Sequence, residues 1–124
     1  VKKMVQKDIP VKGAKALLLG FTFKENCPDI RNTRVIDIYN DLNEFGLDVT
    51  VYDPLADFAE VKEEYDLEIT SNFHTLSGPY STVIIAVGHS NFTELKLNRV
   101  TTKSTIFYDI KGVLPESHEN VYRL

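Results

Sequence analysis

Leu17-Leu18-Leu19-Gly20-Phe21-Thr22-Phe23-Lys24-Glu25-Asn26-Cys27-Pro28-Asp29-Ile30-Arg31-Asn32-Thr33-Arg34 runs from a buried-strand pattern, through a polar loop, into the start of an amphipathic helix. That order matters because the first N–H groups of a helix are unpaired and point at whatever lies before them. Lys24, Arg31 and Arg34 add positive charge to that fixed polarity. The stretch therefore reads as a seat for phosphate, placed where a strand hands over to a helix.

Working outward, residues 14–20 are a short continuous apolar run, the pattern of a parallel strand covered on both faces. Val35, Ile38, Tyr39, Leu42 and Phe45 recur at helical spacing, which predicts a helix over 34–45. Thr33 or Asn32 supplies its N-cap, and Gly46 suits the position just past its end. Residues 47–52 form a second strand. Asp53-Pro54 then reads as an N-cap with proline at the first helical position, opening a second helix to about Asp66. A short third strand is expected over 67–70, a brief helix or turn over 73–77, and a strongly buried fourth strand over 82–88. A short helix over 91–99, a fifth strand over 104–110 and a frayed edge strand over 121–124 complete the chain. Alternating strands and helices predict an α/β fold: a Rossmann-like, doubly wound, mostly parallel sheet of five or six strands with helices on both faces. Right-handed crossovers give the order 3-2-1-4-5, with ligands beyond the carboxyl ends at the switch between strands 1 and 4. Lys24, His89 and Lys111 follow strands 1, 4 and 5 and fall on that edge.

At 124 residues, 43% hydrophobic and 26% charged, the chain is one ordinary globular domain, with residues 1–13 a linker or the end of a preceding element. It has no apolar run long enough to span a bilayer, and its first residues lack the apolar core of a signal peptide. One cysteine, Cys27, excludes an internal disulfide and fits a reducing, cytoplasmic setting. Charge is segregated: residues 1–34 carry eight Lys/Arg against three Asp/Glu, and residues 35–70 one against eleven. The acidic middle argues against a duplex nucleic-acid partner and reads as solvated helix faces, while a local site for a small anion stands.

Each candidate has a plain alternative. Lys24 is a phosphate contact or a solvated loop lysine. Arg31 and Arg34 oppose the helix dipole, which calls for a compensating anion, though Arg34 can equally pair with Asp37 or Asp41. Asp53 resembles the acid that grips a ribose in dinucleotide folds, yet the first loop lacks Gly-x-Gly-x-x-Gly, so a helix cap is the better reading. Lys111 closes the site from strand 5 or is a turn lysine; His89 touches a ligand or fastens a loop. Cys27 has no base beside it, and no Cys/His spacing matches a metal site. A receiver domain would need paired carboxylates after strand 1, where Gly20-Phe21 stands.

Taken together, residues 20–34, Val51-Tyr52-Asp53-Pro54, Val87-Gly88-His89 and Phe107-Tyr108-Asp109-Ile110-Lys111-Gly112 resemble the C-terminal, UDP-binding domain of the UDP-glucose/GDP-mannose dehydrogenase family. The likeness covers essentially the whole chain, residues 14–124 as the UDP-sugar-binding domain, and is strongest to the branch acting on UDP-N-acetylhexosamines for surface polysaccharides such as Vi and O antigens. It implies NAD-dependent oxidation of a sugar's primary alcohol to a carboxylate, through a thioester on a catalytic cysteine. The family's glycine-rich NAD loop and its Cys-x-x-Lys-Asp motif are absent here, and Cys27 does not match the catalytic position. An excised domain is thus implied, inactive alone, with no catalytic or metal-binding residue of its own. Its partners would be a UDP-sugar and the N-terminal and central domains of the same enzyme, a homo-oligomer in its full length. By the same resemblance Phe23, Lys24 and Lys111 hold the UDP-sugar and Arg31 reaches toward NAD, which is bound mainly elsewhere. Lys111 stands where arginine is frequent, keeping the charge without the bidentate fork. A free-standing nucleotide-binding regulatory module is the alternative, and it would need no upstream domains.

Overall fold

The computed structural model describes residues 12–22, 26, 29–30, 33–89, 92, 96–110 and 121–122. Five strands, β1 (Lys15–Leu19), β2 (Asp48–Tyr52), β3 (Thr82–Ile85), β4 (Ile106–Asp109) and β5 (Val121–Tyr122), form one sheet. Its order is β2-β1-β3-β4-β5, and every pairing is parallel. The switch point predicted from connectivity lies between β1 and β3.

β1 is central, and its side chains alternate between two cores. Ala16 and Leu18 join Val35, Leu42, Val51, Val61 and Ile84 on one face. Leu17 and Leu19 join Tyr52, Val83, Ile85, Phe92 and Phe107 on the other. This two-sided burial is why 14–20 reads as an unbroken apolar run rather than an alternating one. Each fully buried leucine there contributes roughly 1.5–3 kcal/mol.

Helix α1 (Val35–Glu44) and helix α2 (Phe58–Tyr65) both serve the first core, through Val35 and Leu42 and through Val61. Among the described residues the opposite face is covered by 3-10 turns at Phe73–Thr75 and Leu97–Arg99 and by Phe92, not by α-helices. Of the helix expected over 91–99, positions 91 and 93–95 lie outside the described residues. At the end of α1, Gly46 at φ +88° lets its N–H donate to Asn43 O and that of Leu47 to Leu42 O, the paired closure that glycine past a helix end permits. At its start the N-cap residue is Arg34 and makes no side-chain cap. Thr33 sits one residue further out, its Oγ1 accepting from Val35 N at 3.2 Å.

Two expectations need correction. The second helix does not open at Asp53-Pro54: it begins at Phe58, where Asp57 Oδ1 accepts from Glu60 N at 3.1 Å. Asp53 instead folds a short turn ahead of it. The third strand is reduced to one parallel bridge, Tyr52 to Thr70, with Thr70 N donating to Val51 O. Only that one position meets the edge of β2. The predicted order holds with that reduction.

Gly20, just past β1, sits at φ +96°, and a Cβ there would fall 2.6 Å from Val87 Cβ and 3.0 Å from Val87 N. Its own N–H donates to Tyr52 O. Gly20→Ala combines a disfavoured dihedral with a backbone clash, and should cost about 2–4 kcal/mol. Urea unfolding of the variant measures this, and a loss below about 1 kcal/mol would show that the strand end yields.

Candidate functional site

The carboxyl ends of β1, β2 and β3 each deliver one buried polar side chain to the same point: Thr22, Asp53 and His89. Asp53 follows β2 directly and is fully buried. Its Oδ2 accepts from Phe21 N at 2.7 Å, Thr22 N at 3.2 Å and His89 Nε2 at 3.0 Å. Its Oδ1 accepts from Leu55 N at 2.8 Å and Ala56 N at 3.1 Å. Of the eleven carboxylates in residues 35–70 the other ten are exposed, as expected of solvated helix faces. Asp53 is the exception.

Burial alone would raise the Asp53 pKa. The hydrogen bond from His89, then those from Phe21 N and Leu55 N, outweigh it and hold the carboxyl below its ordinary 3.8. The carboxylate is the form these donors demand.

His89 is equally constrained. Its Nδ1 accepts from Asn26 N at 2.8 Å, and a backbone N–H only donates, so the ring proton sits on Nε2. There it faces Asp53 Oδ2 and, at 3.1 Å, Thr22 Oγ1. Phe92 packs against the ring edge-on, with centroids 5.2 Å apart. Asn26 has φ +57°, a left-handed conformation that asparagine tolerates better than most residues. Further along the same loop, Ile30 is buried and its carbonyl accepts from Tyr65 OH at 2.7 Å. Tyr65 in turn meets Phe21 edge-on at 5.2 Å. The loop after β1 is thus fixed at Phe21–Thr22, at Asn26 and at Ile30 by groups from β2, β3 and α2.

Phe23, Lys24, Arg31 and Lys111, proposed from the sequence to hold substrate and cofactor, lie outside the described residues, as does Cys27. The described neighbours bracket three of them: Thr22 and Asn26 flank positions 23–25, and Ile110, whose N–H donates to Ile85 O, precedes Lys111. Arg34 is exposed at the start of α1.

Of the sequence alternatives, His89 fastens the loop, and Asp53 does more than cap. Its bonds to Leu55 and Ala56 are cap-like, but Oδ2 is committed to the β1 loop. A ribose-gripping role is closed to it, since both oxygens are buried and already accept N–H groups. Gly20 packs onto Val87 instead of opening to a pyrophosphate. The residues at the end of β1 and β2 therefore do not fit a bound dinucleotide. Among the described residues no three His, Cys, Asp or Glu side chains gather as metal ligands, and no helix is long and apolar enough to cross a membrane. The Thr22–Asp53–His89 network and the Tyr65 tether were missed as a unit. The available signal was a polar residue directly after each of the two buried strands expected to flank the first, Asp53 after 47–52 and His89 after 82–88.

The sequence model of the UDP-glucose/GDP-mannose dehydrogenase family, UDP binding domain, matches residues 17–116. Two proteins named UDP-N-acetyl-D-glucosamine 6-dehydrogenase, from Salmonella typhi and Pseudomonas aeruginosa, are 40% and 38% identical to it over 124 residues. Each match covers 98% of this chain and 29% of the relative, so the chain spans less than a third of those proteins. Among solved structures, the UDP-N-acetyl-mannosamine dehydrogenase Cap5O from Staphylococcus aureus superposes with a TM-score of 0.72 at 26% identity, covering 98% of this chain and 28% of that one. The NDP-N-acetyl-D-galactosaminuronic acid dehydrogenase from Methanosarcina mazei Go1 gives a TM-score of 0.81 at 20% identity, over 99% of this chain and 26% of that one, and shares the fold.

The depressed Asp53 pKa sets the sign of an acid response. Its stabilisation is complete above the unfolded value near 3.8 and is lost as pH falls through the lower native value. Asp53→Asn should cost about 2–4 kcal/mol at neutral pH, because buried N–H donors lose an acceptor. The variant should also show a flatter loss of stability on acidification than the parent, read from urea midpoints between about pH 2 and pH 6.

Proposed function

The chain belongs to the UDP-glucose/GDP-mannose dehydrogenase family as its UDP-binding domain, and from that premise we propose that it holds the UDP of a UDP-N-acetylhexosamine while other domains oxidise the sugar. In this reading Phe23 and Lys24 in the β1 loop and Lys111 after β4 bind the UDP-sugar. Lys24 and Lys111 meet diphosphate as point charges at the switch between β1 and β3. Arg31, at the far end of the loop, reaches toward NAD. The observation that carries the proposal is the β1 loop itself: the family match runs through it, and its described residues are fixed at the ligand edge of the sheet. Identity near 40% with two UDP-N-acetyl-D-glucosamine 6-dehydrogenases supports the choice of sugar class.

The proposed reaction of the full-length protein is a four-electron oxidation of the C6 primary alcohol to a carboxylate, feeding surface polysaccharide synthesis in the cytoplasm. NAD, when bound, supplies the hydride acceptor. Its seat is not at the end of β1 and β2, where Asp53 and Gly20 are otherwise engaged, so this chain contributes only the approach of Arg31. Cys27 takes no part in the covalent step. The role of this domain is positioning: binding energy on the UDP, remote from the reacting carbon, orients that carbon for chemistry elsewhere. We assign homo-oligomerisation of the full-length protein to its other domains.

Titration of the chain with UDP, followed by amide shifts, should give saturable changes around Thr22, Asn26 and Ile110. Lys24→Ala should weaken binding about tenfold, the loss of one charge-assisted phosphate contact. NAD should give no saturable change, and the chain alone should not reduce it in the presence of UDP-sugar. NAD binding at the same residues in place of UDP would sink the proposal.

A further inference from the structure

On the face of the sheet opposite the two α-helices, one exposed side chain joins the two 3-10 turns. Arg99 donates from Nη1 to His74 Nδ1 at 2.9 Å and lays its guanidinium over the Phe73 ring, 5.6 Å from the centroid. A guanidinium N–H only donates, so Nδ1 accepts, the His74 ring is neutral and its proton sits on Nε2. We propose that Arg99 is an interdomain anchor, which receives the carboxylate of an aspartate or glutamate from a part of the full-length protein outside this chain. The inference rests on the reading of this chain as one domain of a longer protein and is independent of where UDP binds.

The arginine is held ready for a partner. Phe73 beneath it is braced edge-on by Tyr52, 5.7 Å away between centroids and buried in the second core. Its own turn is pinned by buried Leu97 and Val100, and Val100 O accepts from Tyr80 N at 2.7 Å. A long side chain that is already fixed loses little freedom on binding, and the donors that His74 does not use remain as a planar fork. Its charge is unmatched, since Arg99 meets no carboxylate among the described residues. Residues 95–108 contain Lys96, Arg99 and Lys103, all exposed, and no Asp or Glu. The acids of α1 and α2 lie across the sheet, where those helices cover the first core. With His74 neutral, the pair holds a single positive charge, which a carboxylate balances and a phosphate dianion would exceed. Arginine and aromatic rings are also the residue types that dominate binding at protein interfaces. The source of the carboxylate follows from length. This chain covers 29% of each of the two relatives at 40% and 38% identity, so most of such a protein is available to meet this face.

Arg99→Lys turns the anchor into a reporter, because its amine keeps the charge and can be joined to a touching carboxylate by a zero-length carbodiimide. In the full-length protein we expect a crosslink from position 99 to an Asp or Glu outside residues 1–124, found by peptide mapping and absent in Arg99→Ala. Amide exchange at His74, Thr75, Arg99 and Val100 should be about tenfold slower in the full-length protein than in the chain alone. Arg99→Ala should remove that difference while leaving the urea midpoint of the chain alone nearly unchanged. A large fall in that midpoint would make Arg99 a brace between the two turns and overturn the proposal. So would equal exchange in both proteins, no crosslink, or a crosslink only to residues 1–124 of the same or a second copy. A native protein whose mass is no greater than that of this chain would instead overturn the reading on which the proposal rests. The UDP titration stands or falls separately.

Discussion

A single buried carboxylate organises the ligand edge of this domain. Asp53 receives N–H groups from the loop after β1, from the turn after β2 and from the imidazole after β3. An isolated charge in that place would be expensive, and the same charge with every oxygen supplied with donors is not. The cost of burial and the strength of the bonds both come from low local polarity, so the network is stable only when complete. Three strand ends are thereby brought to a common geometry before any ligand arrives.

Much of the fold could be read from the residues because local pattern and packing agree. The unbroken run at 14–20 announces two-sided burial, and the cores on either face of β1 account for it. Gly46 announces a helix stop, and its positive φ provides one. Where local chemistry had two outlets, the sequence could not choose. Asp53-Pro54 looks like a helix start, but long-range donors from Phe21, Thr22 and His89 claim one of its oxygens, and the helix waits for Asp57. Residues 67–70 have strand character, yet only Thr70 bridges the edge of β2.

The site was legible in its address and less so in its construction. Connectivity alone put the β1 loop and His89 on the carboxyl edge, where Thr22, Asn26 and His89 meet, while Lys24 and Lys111 lie outside the described residues. The wiring between Thr22, Asp53 and His89 spans more than thirty residues at its closest, and no local spacing rule encodes such contacts. Charge was informative once position was known. Ten exposed acids line the middle third of the chain, while three of the eight cations of the first third, Lys24, Arg31 and Arg34, belong by sequence to the loop after β1 and the helix start that follows it. An anionic ligand would be turned from the acidic surface and drawn to the loop.

The two anchors on His89 also bear on how such a loop can change over evolutionary time. Because Thr22 and Asn26 are held by opposite sides of one ring, those two bonds fix the number of residues between them and leave the identities of those residues to what the ligand requires. Insertions or deletions there would break a buried bond, while replacements at 23–25 leave both anchors in place. Descendants of this domain would therefore keep the length of this loop, with changes of length confined to segments that no buried group measures.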